Sequence, residues 1–278
     1  MRNGLFRRKI LKLRFSKKAI AIPMTFLMLF ASLFVVISIT YYFAVSKVNA
    51  NSQMLKISSA KQNMNALEKT LSYILWEPGS SKNYEFDDCG GKLIVQPDEN
   101  LLTINVTDGT FNDVVFNYSI GRIVYELPYS QSADTGLYLK GTSQVVENKS
   151  GAVMTQLFIK TGEEHPEIVL RYRPKVSYII EGIDNDKPSN IIRIYIVNLN
   201  SSINQEFIGK IPIKISCLSN KVIVTNYNIS YQPSYLNFIV NLSDSKAEVT
   251  FPISSNENGA EINLELVTCY AKIEQGFR

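Results

Sequence analysis

His165, the single histidine of the 278-residue chain, stands in Thr161-Gly-Glu-Glu-His-Pro166. A serine nucleophile needs a histidine beside an activated hydroxyl, and no G-x-S-x-G turn accompanies this one. The segment reads as a polar turn, and a histidine-based zinc site is equally unsupported. Asp184-Asn185-Asp186 and Asp87-Asp88 offer carboxylates to a calcium ion. Neither has the D-x-[DN]-x-[DN]-G loop or its closing glutamate, so both read as solvated turns. Gly90-Gly91 has no phosphate-cradling loop around it. The many acids past residue 77 allow carboxylate pairs of the kind glycosidases use, but no pair is singled out by spacing. These residues point to no enzyme: no catalytic residue, no metal ligand and no cofactor.

Three cysteines, Cys89, Cys217 and Cys269, are too few for a disulfide-built scaffold and lack the C-x-x-C spacing of a redox or zinc site. Ile211, Ile213, Ile215 and Cys217 fall on one face of a strand, so Cys217 points inward. In the last strand Ile262, Leu264 and Leu266 share one face, while Val267, Cys269, Ala271 and Ile273 share the other. A bulge near Leu266–Val267 would bring both sets to the core and make Cys217 and Cys269 cross-strand neighbours. A disulfide between them and a pair of buried thiols are both open. Cys89, in Asp87-Asp88-Cys89-Gly90-Gly91, reads as an ordinary turn residue. Asn105, Asn117, Asn148, Asn200, Asn228 and Asn241 each begin an N-x-S/T sequon, a possible N-glycosylation site on an exterior surface. An Asn- and Ser-rich chain also produces such triplets by chance. The many tyrosines allow a carbohydrate or protein contact surface, although Tyr is also simply a good strand residue.

The elements that must position these residues are organised around Ala19–Val45, 27 residues without a charged side chain. About 20 apolar residues in a helix cross a bilayer core of about 30 Å, so this stretch reads as a transmembrane helix. Residues 1–45 carry eight Lys or Arg and no acid, whereas residues 77–278 carry 17 basic and 24 acidic side chains, a net of −7. The basic leader places the N-terminus in the cytoplasm and the remainder outside. Nucleic acid is not a partner, because the folded part is acidic. A secretory signal would be shorter and end in small residues, whereas this stretch ends in Tyr41-Tyr42-Phe43, suited to a membrane interface.

Residues 46–76 extend the helix without Gly or Pro. Ile57, Ala60, Met64, Leu67, Leu71 and Ile74 recur in steps of three and four, a heptad seam, with Lys56, Lys61, Asn63, Glu68 and Lys69 on the other sides. The seam can pack on the chain's own domain or against the same helix of neighbouring subunits. Trp76-Glu77-Pro78-Gly79 ends the helix.

Beyond it the period becomes two. Lys92–Gln96 and Leu101–Val106 flank Pro97-Asp-Glu-Asn100, which predicts a hairpin. Further strands are predicted over 113–118, 122–127, 153–160, 167–173, 191–199, 211–217, 221–228, 235–242, 247–252 and 261–273. The fold class is therefore α+β: a long N-terminal transmembrane helix followed by an all-β antiparallel, sandwich-type ectodomain. The expected organisation is a leader (1–18), a membrane helix (19–45), its continuation (46–76) and a β-domain (77–278). The β-domain divides into 77–174 and 175–278 if Arg173-Pro174-Lys175 is a junction.

The basic leader, then Lys17-Lys18-Ala19, then Ile20-Ala-Ile-Pro-Met and the uninterrupted apolar helix resemble the class III, type IV prepilin-type signal of archaeal pilin-like surface proteins. The resemblance covers about 60 residues. It implies cleavage on the cytoplasmic side at Lys18 and Ala19, so that the mature chain begins at Ala19 or Ile20. It also implies partners: membrane lipid, other pilin-like subunits or a surface assembly, with glycan or surface-layer contact made by the head. Pro23 matches the proline found just inside such helices, where a missing N–H costs little. Ala19 replaces the usual glycine before the cut, and no glutamate lies near the mature start. An uncleaved signal anchor carrying a binding module has the same topology.

Overall fold

The computed structural model describes residues 17–128, 135–184 and 186–276; the leader 1–16 lies outside them. One helix, α1 (Lys17–Ile74), is continuous for 58 residues. The chain forms two compact units, residues 1–54 and 55–278.

In the first unit α1 is long and apolar enough to cross a membrane, and every residue from Pro23 to Ser52 is exposed. Three of its hydroxyls turn back onto the helix: Ser32, Ser38 and Thr40 donate to the carbonyls of Leu29, Phe34 and Val36, each at 2.8 Å. That arrangement satisfies these polar groups within the helix itself. Pro23 lies past the first turn of α1. In the uncut helix it therefore removes one internal hydrogen bond.

In the second unit α1 is followed by fifteen strands among the described residues. These begin with β1 (Ser81–Phe86), β2 (Lys92–Gln96), β3 (Leu101–Thr107), β4 (Asn112–Ser119) and β5 (Arg122–Glu126). Next come β6 (Tyr138–Lys140), β7 (Thr155–Thr161), β8 (Pro166–Tyr172), β9 (Lys175–Asp184) and β10 (Lys187–Asn198). The last are β11 (Gln205–Ile208), β12 (Ile211–Ile229), β13 (Tyr235–Leu242), β14 (Ser245–Pro252) and β15 (Ala260–Gln275). They build a five-stranded central sheet β1-β12-β15-β10-β9, a six-stranded sheet β11-β2-β5-β8-β7-β6 and a four-stranded sheet β14-β13-β3-β4. All pairs are antiparallel except β10 with β15. The four-stranded sheet joins strands from both sides of residue 174.

The whole seam, Ile57 to Ile74, is buried in one core with the six-stranded sheet and one end of the central sheet. The chain's own domain therefore takes up the stripe. Glu68, expected on the outer side, is instead completely buried within it. It accepts from Ser72 Oγ and Thr155 Oγ1, both at 2.7 Å, and from Lys140 Nζ. A buried carboxylate is tolerated only with such partners.

A second core lies between the four-stranded sheet and the other end of the central sheet. β15 serves both. Ile262, Leu264 and Leu266 enter the second core, and Cys269, Ala271 and Ile273 enter the first. Successive strand residues face opposite ways, so the two sets cover opposite faces of one sheet and no bulge at Leu266–Val267 is needed. The irregularity sits in the partner strand, between Cys217 and Ser219. The segments 211–217 and 221–228 are consequently one strand, β12.

The hairpin predicted around 97–100 is absent. β2 lies in the six-stranded sheet and β3 in the four-stranded one, so this turn is a corner between sheets. Asn100 takes a positive φ of 70° there, and its buried side chain donates to Gly121 O and accepts from Ser243 Oγ. The β4–β5 connection makes the return crossing at Gly121, whose φ is 73° and whose added Cβ would sit 3.0 Å from Leu199 Cβ. Only glycine fits both requirements.

Candidate functional site

The end of α1 builds one wall of a cleft. The Leu75 N–H still reaches Leu71 O at 3.0 Å, but Trp76 turns to a φ of 76°. Glycine is the usual residue at such a helix end, and a bulky side chain there is an outlier costing about 1–2 kcal/mol. The surrounding structure holds it: Asn220 Nδ2 donates to Trp76 O at 2.9 Å, and the indole meets Tyr195 edge-on at 5.7 Å. A strained residue that its neighbours over-determine marks a site worth testing.

β9 and β10 form the second wall, with Lys175, Ser177, Tyr178 and Tyr195. The third wall is the segment carrying Asn148, Lys149 and Ser150. Arg173 fixes it from below. This buried guanidinium donates to Glu147 Oε2 at 2.7 Å, to Thr142 Oγ1 and Gln144 O at 2.9 Å, and to Val153 O at 3.1 Å. Burial pulls its pKa down and the Glu147 charge pushes it back up. The open cleft has a volume of about 670 Å³, in the range of small-molecule sites. Among the described residues no acid lines it, and neither Lys149 nor Lys175 has an ion-pair partner. Chemically it offers aromatic faces, amide and hydroxyl groups and two ammonium ions.

The residues singled out in the sequence are elsewhere. His165 is exposed in the β7–β8 turn, its carbonyl accepting from Gly162 N–H at 3.1 Å. It borders a polar groove of about 720 Å³ that no serine or cysteine among the described residues lines. Three of the groove's five acids are in ion pairs, Glu126 with Lys92 at 3.1 Å, Glu99 with Arg122 at 3.6 Å and Glu167 with Lys160 at 3.0 Å; Glu163 and Glu164 stand exposed in the β7–β8 turn. Asp87 lies 3.6 Å from Lys210, and Asp88 Oδ1 accepts from Gly90 N–H at 2.7 Å in a local turn. Asp184 and Asp186 flank the β9–β10 turn, and Asn185 lies outside the described residues. Among the described residues no group of three His, Cys, Asp or Glu side chains is placed to hold a metal. Lys18, Ala19 and Ile20 fall at the start of α1.

Cys89 is a core residue rather than a solvated turn. It is buried with the α1 seam, and Asn63 Nδ2 donates to its sulfur at 3.3 Å. Cys217 and Cys269 are buried thiols with sulfurs 3.7 Å apart. Burial pushes the Cys269 thiol up to about 12. A folded-state value above the unfolded one means that this thiol's contribution to stability is present below the unfolded pKa, about 9, and is lost as pH rises from there toward 12. Native protein at pH 8 should accordingly resist iodoacetamide at Cys269, while denatured protein reacts fully, as mass spectrometry would read.

Of the sequon asparagines, Asn117, Asn148, Asn200 and Asn228 are exposed and Asn105 and Asn241 half-buried. Asn105, Asn117 and Asn241 share the outer face of the four-stranded sheet, where Thr103 stands opposite both Asn117 and Asn241. A strand that alternates inward apolar residues with outward Asn, Ser and Thr writes N-x-S/T triplets of itself.

Trp76 was legible in the sequence only as a helix end, and Tyr178 and Tyr195 as ordinary strand residues. One signal was available: the chain's single tryptophan stands immediately before a Glu-Pro-Gly stop.

Comparison with protein-family models, with curated proteins and with solved structures gives no match. Fold and site together define an α+β protein: one long apolar N-terminal helix and a mostly antiparallel β-domain holding an aromatic cleft.

Proposed function

We propose that the chain is a membrane-anchored, pilin-like cell-surface protein with its N-terminus in the cytoplasm and its β-domain outside. The division of α1 is the observation that supports this reading. Before Leu55 the helix exposes apolar side chains on every side, whereas from Ile57 to Ile74 its stripe is consumed by the protein's own core. The exposed part needs a non-aqueous surrounding. Lipid supplies it to the anchored protein, and the same helix of neighbouring subunits supplies it in an assembly. Subunit packing then rests on residues before Ile57, and the role is structural or adhesive, without catalysis or cofactor. The mature protein from native membranes should be lighter by the leader, with its N-terminus at Ala19 or Ile20. Substituting Lys18 and Ala19 should abolish that mass loss, and a wild-type chain of unprocessed mass would defeat the pilin-like reading.

The Trp76 cleft favours a second reading, an uncleaved signal anchor whose β-domain is a ligand- or partner-binding module. The same mass measurement separates the two, since only the first requires the cut.

A further inference from the structure

We infer that the cleft beside Trp76 binds an acidic saccharide, a run of sugar rings carrying carboxylates. A pyranose ring presents C–H groups on its faces and hydroxyls around its edge, so it matches a pocket that combines aromatic faces with amides and hydroxyls. Trp76 and Tyr195 supply the faces, and Asn148 and Ser177 the polar groups, while the Tyr178 ring turns into the second core against Phe251. Charge sets the ligand's sign. Acids outnumber bases in residues 77–278, yet the charged groups of this cleft are Lys149 and Lys175, both without an ionic partner among the described residues. An ammonium ion facing a carboxylate makes a strong charge-assisted hydrogen bond.

An acidic peptide fits less well, because a bound peptide commonly adds as a strand to a free sheet edge. Beside the cleft the start of that edge is taken: the Val176 N–H donates to Glu147 O at 2.8 Å, and the Glu147 N–H to Pro174 O at 2.9 Å, so a strand could add only farther along β9, away from Trp76. The Arg173–Glu147 pair beneath this wall keeps the cleft formed without a ligand, which lowers the ordering cost of binding. The strain at Trp76 fits the same role, since it holds the indole at the mouth where glycine would leave no face at all.

The inference rests on the β-domain lying outside the cell, where such polymers are found. That placement is tested separately by the mature N-terminus, whereas a titration of the full-length protein in detergent is blind to topology. Calorimetric titration with hexagalacturonate, with a neutral glucose hexamer and with hexaglutamate should rank the first about ten-fold or more above the other two. Lys149→Glu, on an exposed segment, should weaken hexagalacturonate by about ten-fold while leaving the melting temperature unchanged. Trp76→Gly relieves the backbone and removes the ring, so binding should be lost from a protein that still folds. Equal affinity for the neutral hexamer, equal affinity for hexaglutamate, no binding of hexagalacturonate, or an unweakened Lys149→Glu variant would each overturn the assignment.

Discussion

Leu67→Ala and Leu71→Ala should each lower the unfolding free energy by about 2–5 kcal/mol, while Leu55→Ala, on the same helix, should change it by no more than about 0.5 kcal/mol. Leu67 and Leu71 are fully buried in the core shared with the six-stranded sheet, whereas Leu55 is 69% exposed. Truncating a side chain inside a close-packed core loses its transfer energy and leaves a cavity that the stiff sheet around it cannot fill. Helix propensity does not account for the contrast, since all three changes convert Leu to Ala in a helix. Urea unfolding of the full-length protein in a non-ionic detergent, followed by the fluorescence of the single tryptophan, would measure it. Trp76 directly follows the seam, so its emission reports the packing of this part of α1. Seam variants as stable as Leu55→Ala would mean that the stripe is free to pack between subunits.

The features legible in the sequence were those written by local periodicity. The seam from Ile57 to Ile74 repeats in steps of three and four, and a long repeat of that kind admits one structure, so the helix and its buried side were both readable. The strands with alternating apolar residues, such as Tyr235–Leu242, coincide with β13. Strands without that alternation were not readable: β1, SKNYEF, is polar and mostly exposed at a sheet edge. Pairing was less legible than strand position, because an apolar face does not say which sheet it joins. Pro97-Asp-Glu-Asn100 has the composition of a hairpin turn but leads from one sheet to another. The difference depends on Asn100, whose side chain is tied to Gly121 and Ser243 far along the chain. The same limit applies to β15, where two apolar sets on opposite faces suggested a bulge. One strand covering two cores explains them equally well, and only tertiary structure decides. The cleft was least legible of all, since Trp76, Lys149 and Tyr195 come from three distant segments.

Lys140→Met should destabilise the β-domain by about 3–5 kcal/mol, more than Glu68→Leu, and the double variant should be more stable than Lys140→Met. Glu68 is the one acid on the seam side of α1, and its side chain is completely buried. Its partners are the Lys140 ammonium and the hydroxyls of Ser72 and Thr155. Removing the ammonium leaves a buried carboxylate with two neutral donors, which is the costly half of the pair. Removing the carboxylate leaves an ammonium whose side chain is 28% exposed and can turn to water. Replacing both gives an apolar contact of similar volume and strands no charge. The sign of the coupling is therefore fixed by the unequal burial of the two partners. A double-mutant cycle should return a coupling on the order of 2 kcal/mol, read in the same urea titration. The carboxylate also sets the register of the helix. A seam of aliphatic residues three and four apart can slide by a turn and remain apolar, but only one position brings Glu68 to Lys140 and Thr155. A loss smaller for Lys140→Met than for Glu68→Leu would show that the pair is solvated and that apolar packing alone positions α1.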